Sequence, residues 1–175
     1  MRPLGILWMC AAGAAQQFQP VAPAPTDALR FDRPLAEFRT TDLTGRAWRS
    51  ADLQGKVTVI DIWSTTCGPC LQQHPALQAF HEQTPRMNGV AVLTFALDDD
   101  PSRVRAYMTA HRYTFPVIVR SSLAANLFPT DGGIPKAFVV DREGRLSAPF
   151  REWSFGRVLL EAERFAKHDQ AFGLR

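Results

Sequence analysis

The chain has little cysteine: among 175 residues there are only Cys10, Cys67 and Cys70. That excludes a multi-disulfide scaffold. No second CxxC and no histidine pair at ligand spacing accompanies them, which argues against a four-ligand zinc site. Basic blocks are missing too. The net charge of +3 comes from single Lys and Arg residues interspersed with acids, so nothing marks a nucleic-acid partner. Long apolar runs are absent: the N-terminal one, Leu4 to Ala15, is too short to span a bilayer comfortably. No internal repeat is present.

What is there suits one globular domain with extensions, at 46% hydrophobic and 21% charged residues. Arg2 ahead of an apolar stretch that ends in small residues has the layout of a secretory signal. We expect residues 1–15 to be that signal, cleaved after Ala14 or Ala15. Cys10 does not convert it into a lipoprotein signal, because Leu7-Trp8-Met9 lacks the small residue needed before such a cysteine. Residues 16–33, with Pro20, Pro23 and Pro25, read as an extended linker. The folded domain is expected over residues 34–170, in a secreted or periplasmic setting. Membrane contact is expected only if the N-terminal segment is retained.

Losing residues 1–15 leaves one cysteine pair, Cys67-Gly68-Pro69-Cys70. A loop this short constrains the unfolded chain very little, which favours chemistry over stapling. The pair sits between an apolar run, Val57 to Trp63, and a helical pattern from about Cys70 to Gln83. A CxxC where a strand turns into a helix reads as a redox motif. Upstream, residues 38–48 alternate around a turn at Asp42 to Gly45 and predict a hairpin. Ser50 to Leu53 would add one helical turn.

Downstream, strands are expected at Gly89–Leu97, Phe115–Val119 and Ala137–Asp141, the last paired with Leu146–Phe150 around the turn 142–145. Asp100 and Pro101 should open a helix to about His111. A short helix follows at Ser122–Phe128. Ser154 should cap a last helix with Val158, Leu159, Ala162, Phe165 and Ala166 on one stripe. The order implies an α/β fold: a central mixed sheet with helices on both faces and an N-terminal hairpin extension.

Three segments together resemble the TlpA/ResA-like thiol–disulfide oxidoreductases of the thioredoxin superfamily. They are Asp42-Leu-Thr-Gly-Arg46 ahead of Leu53-Gln-Gly-Lys-Val57, Trp63-Ser-Thr-Thr-Cys-Gly-Pro-Cys70 with Pro75 beyond it, and Gly133-Ile-Pro-Lys-Ala-Phe-Val-Val-Asp141. The resemblance implies a thioredoxin-like fold. It implies Cys67 as the exposed nucleophile, Cys70 as the buried resolving thiol and Pro135 as a cis proline beside them. Ile134, Thr66, Gly68, Pro69 and Lys136 are the implied substrate surface. Asp61, six residues before Cys67, matches the buried aspartate that takes the resolving thiol's proton. The partners implied are cysteine-containing protein substrates and an upstream thiol donor. A reducing role is implied, such as cytochrome c maturation or metallochaperone reduction. No separate cofactor is expected, since the cysteine pair is the redox centre.

This chain departs from its relatives in places. Thr66 replaces the tryptophan that usually precedes the first cysteine, and Gln73 stands where a glutamate is common. The lysine that thioredoxins place on the next strand is missing. Lys136 reads either as a cation near Cys67 or as a solvated side chain. His74 and His81, seven apart on one helix, read as half-exposed, and Pro75 as a kink. Asp98-Asp99-Asp100 is explained by helix capping. Two other functions stay open. Ser64 fits the hydroxyl of an AhpC/TSA-type peroxidase motif, although Ile60 stands where its proline should be. A copper-handling module is the non-enzymatic alternative, although Sco-like proteins place three residues between their cysteines.

Overall fold

A computed structural model describes residues 31–128, 133–147, 149–151 and 155–171. The signal segment, most of the linker, Gly132 and Ser154 lie outside them. The central strand β4 (Val57–Trp63) is buried along its whole length. Such a strand needs cover on both faces, which explains its nearly unbroken apolar character. It pairs in parallel with β5 (Val90–Ala96) and antiparallel with β7 (Lys136–Val140). Beyond β5 lies β6 (Val117–Val119), again parallel; beyond β7 lie β8 (Arg145–Ser147) and β1 (Phe31–Pro34). β1 begins inside the stretch read as linker, so residues 31–33 belong to the sheet. β9 (Phe150–Arg151) pairs with the start of β7; the strand expected over 146–150 is thus split in two.

Two helices connect the parallel strands. α1 (Gly68–Gln83) follows β4 and runs through Pro75 as one helix. α2 (Pro101–His111) follows β5, with Pro101 in its first turn and the Asp100 carboxylate accepting the Ser102 N–H at 2.9 Å. That is the expected cap. α1, α2 and α4 (Phe155–Ala171) cover one face of the sheet, where Trp63, Cys70, Leu77, Val104, Met108, Val158 and Ala162 form one core. α3 (Ser121–Leu127) covers the other face with Phe38, Trp48 and Leu53, over Ile60, Ile62, Phe95 and Phe138. Helices therefore lie on both faces, as expected.

The N-terminal hairpin is a separate sheet, β2 (Arg39–Thr41) with β3 (Ala47–Arg49). Asp42 organises its turn. Its carboxylate accepts the Thr44 N–H at 2.8 Å, the Arg46 N–H at 3.1 Å and the Trp48 indole N–H at 2.9 Å. The hairpin lies against β6 through the Leu43 N–H, which donates to the Val117 carbonyl at 2.9 Å. Burial pushes the Asp42 carboxyl up, but the bonds from Thr44, Trp48 and Arg46 outweigh it and hold the group below the usual carboxylate range. A depressed folded value contributes stability above the unfolded value of about 3.9, lost as pH falls through the folded one. Asp42→Ala should therefore lower stability by about 2 kcal/mol, or roughly 4–8 °C in Tm, at neutral pH. Thermal melts of both proteins should converge in acid; parallel loss at every pH would show that the charge is not responsible.

Candidate active site

The site is built where β4 ends. The chain leaves Trp63, turns through Ser64–Thr66 and enters α1 with Cys67 as N-cap. The Cys67 N–H donates to the Ser64 carbonyl at 3.2 Å, and the Cys67 carbonyl accepts the Leu71 N–H at 3.1 Å. Its sulfur accepts the Cys70 N–H at 3.3 Å. These bonds place Sγ among the unpaired N–H groups of the first helical turn, where negative charge is stabilised. Gly68 and Pro69 occupy that turn and are exposed. α1 thus starts two residues earlier than the sequence pattern indicates. Cys67 and Cys70 are joined by a disulfide with Cα atoms 5.3 Å apart. Cys67 is half-buried, whereas Cys70 is 1% exposed. Only one of the two sulfurs is placed to meet another molecule.

Two more loops converge here. The Ile134–Pro135 peptide is cis, as the resemblance implies, and leads directly into β7. Pro135 is buried, and Ile134 packs against both cores. The loop after β5 contributes Asp98, whose carboxylate accepts the Thr65 N–H at 2.9 Å and also the Thr65 hydroxyl. Asp98 therefore ties the segment before Cys67 to the neighbouring strand. A cleft of about 500 Å³ opens between these loops, lined by Ser64, Thr66, Asp98, Asp99, Arg103 and Ile134 among others. Thr66 is exposed there, with its hydroxyl 3.0 Å from that of Ser64.

Beneath the cysteines, Asp61 is 2% exposed in the middle of β4, opposite Thr94 of β5 and Ala137 of β7. It is not an edge residue satisfied by backbone donors. It alternates with Val59 and Trp63, so it faces the same core as Cys70. Burial pushes its carboxyl up, and the adjacent His74 draws it only part of the way back.

Several expectations need correction. His74 is not half-exposed but wholly buried, with Nε2 3.7 Å from the Asp61 carboxylate and Nδ1 2.8 Å from the Tyr107 hydroxyl. Its position four residues after Cys70 puts both on one helix face, the sequence signal that could have revealed it. His81 is half-buried as expected. Lys136 is neither solvated nor beside α1. It is 6% exposed and registers with Ile62, on the opposite sheet face, so it does not lie on the substrate surface. Asp98 holds Thr65, while Asp100 alone caps α2, and the signal for Asp98 was its place just past the end of a central strand. Gln73 stays near the surface, its amide 3.4 Å from the Pro69 carbonyl.

The chain is similar in sequence and fold to known thiol–disulfide oxidoreductases. Thiol-disulfide oxidoreductase ResA of Bacillus cereus is 23% identical over 123 residues, 70% of each chain. Its namesake in Geobacillus thermodenitrificans is 26% identical over 111 residues, 63% of each. Among solved structures, a thioredoxin-family thiol:disulfide interchange protein from Chlorobium tepidum TLS superposes with a TM-score of 0.63 at 25% identity, covering 75% of this chain and 96% of that one. A secreted thiol-disulfide isomerase from Corynebacterium glutamicum gives a TM-score of 0.68 at 24% identity, covering 86% and 98%, and so shares the fold. The sequence profile of the AhpC/TSA family matches residues 31–148, well over half of the chain, and the chain belongs to that family.

Proposed function

We propose that this chain is a thiol–disulfide oxidoreductase that reduces disulfides of protein substrates in the bacterial envelope. The observation that carries the reading is the disulfide between a helix-capping, accessible Cys67 and a buried Cys70 one turn further on. In the dithiol form the Cys67 thiolate, stabilised by the α1 N-terminus, attacks a substrate disulfide and expels one substrate thiolate. The mixed disulfide brings the substrate chain over Thr66, Gly68 and Pro69 and alongside Ile134, which lines the same cleft as Thr66. Cys70 then gives its proton to the Asp61 carboxylate and attacks Cys67 Sγ. The second substrate thiolate leaves, and two electrons have passed to the substrate. An upstream thiol donor reverses the change in the enzyme.

Gly-Pro between the cysteines, as in thioredoxins, supports the reducing direction, and the basic, apolar start of the chain supports the location. Among the described residues, no helix is long and apolar enough to cross a membrane. Cytochrome c precursors or metallochaperones are the substrate class favoured by the resemblance. AhpC/TSA membership keeps a peroxidase reading in view, but pairing through a cysteine only three residues away favours exchange with another disulfide.

Cys67→Ser should abolish reduction of insulin disulfides, and Cys70→Ser should accumulate mixed disulfides visible on non-reducing gels; activity in both variants would overturn the mechanism. Peroxide consumption faster than insulin reduction would favour the peroxidase instead. Asp61→Asn should slow turnover about 10- to 100-fold and remove the acid limb of the pH–rate profile. Because the folded Asp61 value is raised, its stability contribution is complete below the unfolded value of about 3.9 and lost as pH rises through the folded one. The same Asp61→Asn protein should therefore melt higher than the parent above neutrality and equally near pH 3.5, as thermal melts at both pH values would show.

A further inference from the structure

His74 has a polar atom that the fold leaves unanswered. Its side chain is 0% exposed, and Nε2 has no hydrogen-bond partner. The nearest charged atom is the Asp61 Oδ2 at 3.7 Å, beyond hydrogen-bond range. An orphaned buried imidazole nitrogen is costly, and a hydrophobic residue would fill this helix position without that penalty. The ring is nevertheless held firmly. Nδ1 lies 2.8 Å from the Tyr107 hydroxyl, and the ring packs edge-on against Trp63 at 4.5 Å and Phe115 at 5.3 Å.

We propose that His74, oriented by Tyr107, is the positioning residue that keeps Asp61 available as the proton acceptor for Cys70. The Tyr107 hydroxyl donates to Nδ1, so the single imidazole proton sits on Nε2 and faces the carboxylate. Burial and Tyr113 push the Tyr107 phenol up, so it stays a neutral donor. The Nε2–H dipole favours the ionised carboxylate and partly offsets its desolvation. When the Cys70 proton reaches Asp61, both groups of the pair are neutral, and the emerging thiolate has no buried like charge beside it. His74 thus serves where thioredoxins place a lysine, a residue this chain lacks on β5.

The other groups facing the pair leave it this task. From α1 comes Cys70, from β5 Thr94 and from β7 Ala137; α4 brings Val158 and Ala162 to the same core. From α2 and the following loop come Tyr107 and Tyr113, with His111 on their outer side, 4.5 Å from Tyr107 between ring centres. Among these described residues no full charge opposes Asp61, which leaves the dipole of His74 to do so. Lys136 lies on the other face.

The inference rests on Asp61 as proton acceptor, and the test separates the two ideas. Reduced protein mixed with excess 5,5′-dithiobis(2-nitrobenzoate) releases one nitrothiolate when Cys67 attacks. It releases a second, at a rate independent of reagent concentration, when Cys70 resolves the mixed disulfide. The second phase, followed by stopped flow from pH 5 to pH 9, should slow on the acid side with a midpoint set by Asp61. His74→Leu should move that midpoint up by about one pH unit or more while leaving the first phase nearly unchanged. His74→Gln, whose amide can still donate to the carboxylate, should recover most of the shift. Tyr107→Phe, which keeps the ring, should move the midpoint the same way by less. Asp61→Asn/His74→Leu should match Asp61→Asn alone. An unchanged midpoint in His74→Leu and Tyr107→Phe, with the acid limb still lost in Asp61→Asn, overturns the role of His74 and leaves that of Asp61 standing. An acid limb that survives Asp61→Asn overturns both. If His74→Leu does not fold, Tyr107→Phe alone decides by the same criterion.

Discussion

β4 is hydrogen-bonded along both sides, in parallel to β5 and antiparallel to β7, and that double pairing sets where every functional group lies. Parallel pairing brings the ends of β4 and β5 to the same edge of the sheet; antiparallel pairing brings the beginning of β7 there as well. The loop holding Cys67, the loop holding Asp98 and the loop holding Pro135 therefore meet without any long excursion of the chain. In open α/β sheets, the edge at the carboxyl ends of the parallel strands is the usual place for such a crevice.

Within this frame the two cysteines experience opposite environments although only two residues separate them. Cys67 lies at a helix start, where backbone donors and the helix dipole favour a thiolate. Cys70 lies one turn deeper, among Trp63, Leu77 and Val158 in a core that disfavours charge. A nucleophile must be ionised before the encounter, whereas a resolving thiol must be ionised only after it. The fold separates those demands by about one helical turn. A buried carboxylate is compatible with the same logic, because it can take a proton where water cannot reach.

Much of this was legible in the sequence because it depends on local chemistry. The apolar run Val57–Trp63, the turn around Asp42, the cap at Asp100 and the cysteines before a helical pattern each carry their own physical reason. Asp61 was legible as an exception, a carboxylate in a strand that had to be covered on both faces. His74 was legible only through its spacing from Cys70, since a single histidine in a helix otherwise reads the same whether it meets solvent or a carboxylate. Its burial is decided by α2, which brings Tyr107 against it from 33 residues away. Lys136 was misread for a related reason. Strand register decides which face a side chain takes, and a one-residue change in register reverses it.

The β2–β3 hairpin, inserted between β1 and β4, guards one border of the central sheet. Among the described residues β6 is the terminal strand of the sheet, and a terminal strand offers its backbone to any extended chain that passes. Here it is only three residues long, and Leu43 of the hairpin turn already occupies the Val117 carbonyl. A thiol–disulfide oxidoreductase of cysteine-containing proteins gains from such a guarded border. An extended chain is left with less free backbone at that border than at the edge where Cys67 lies.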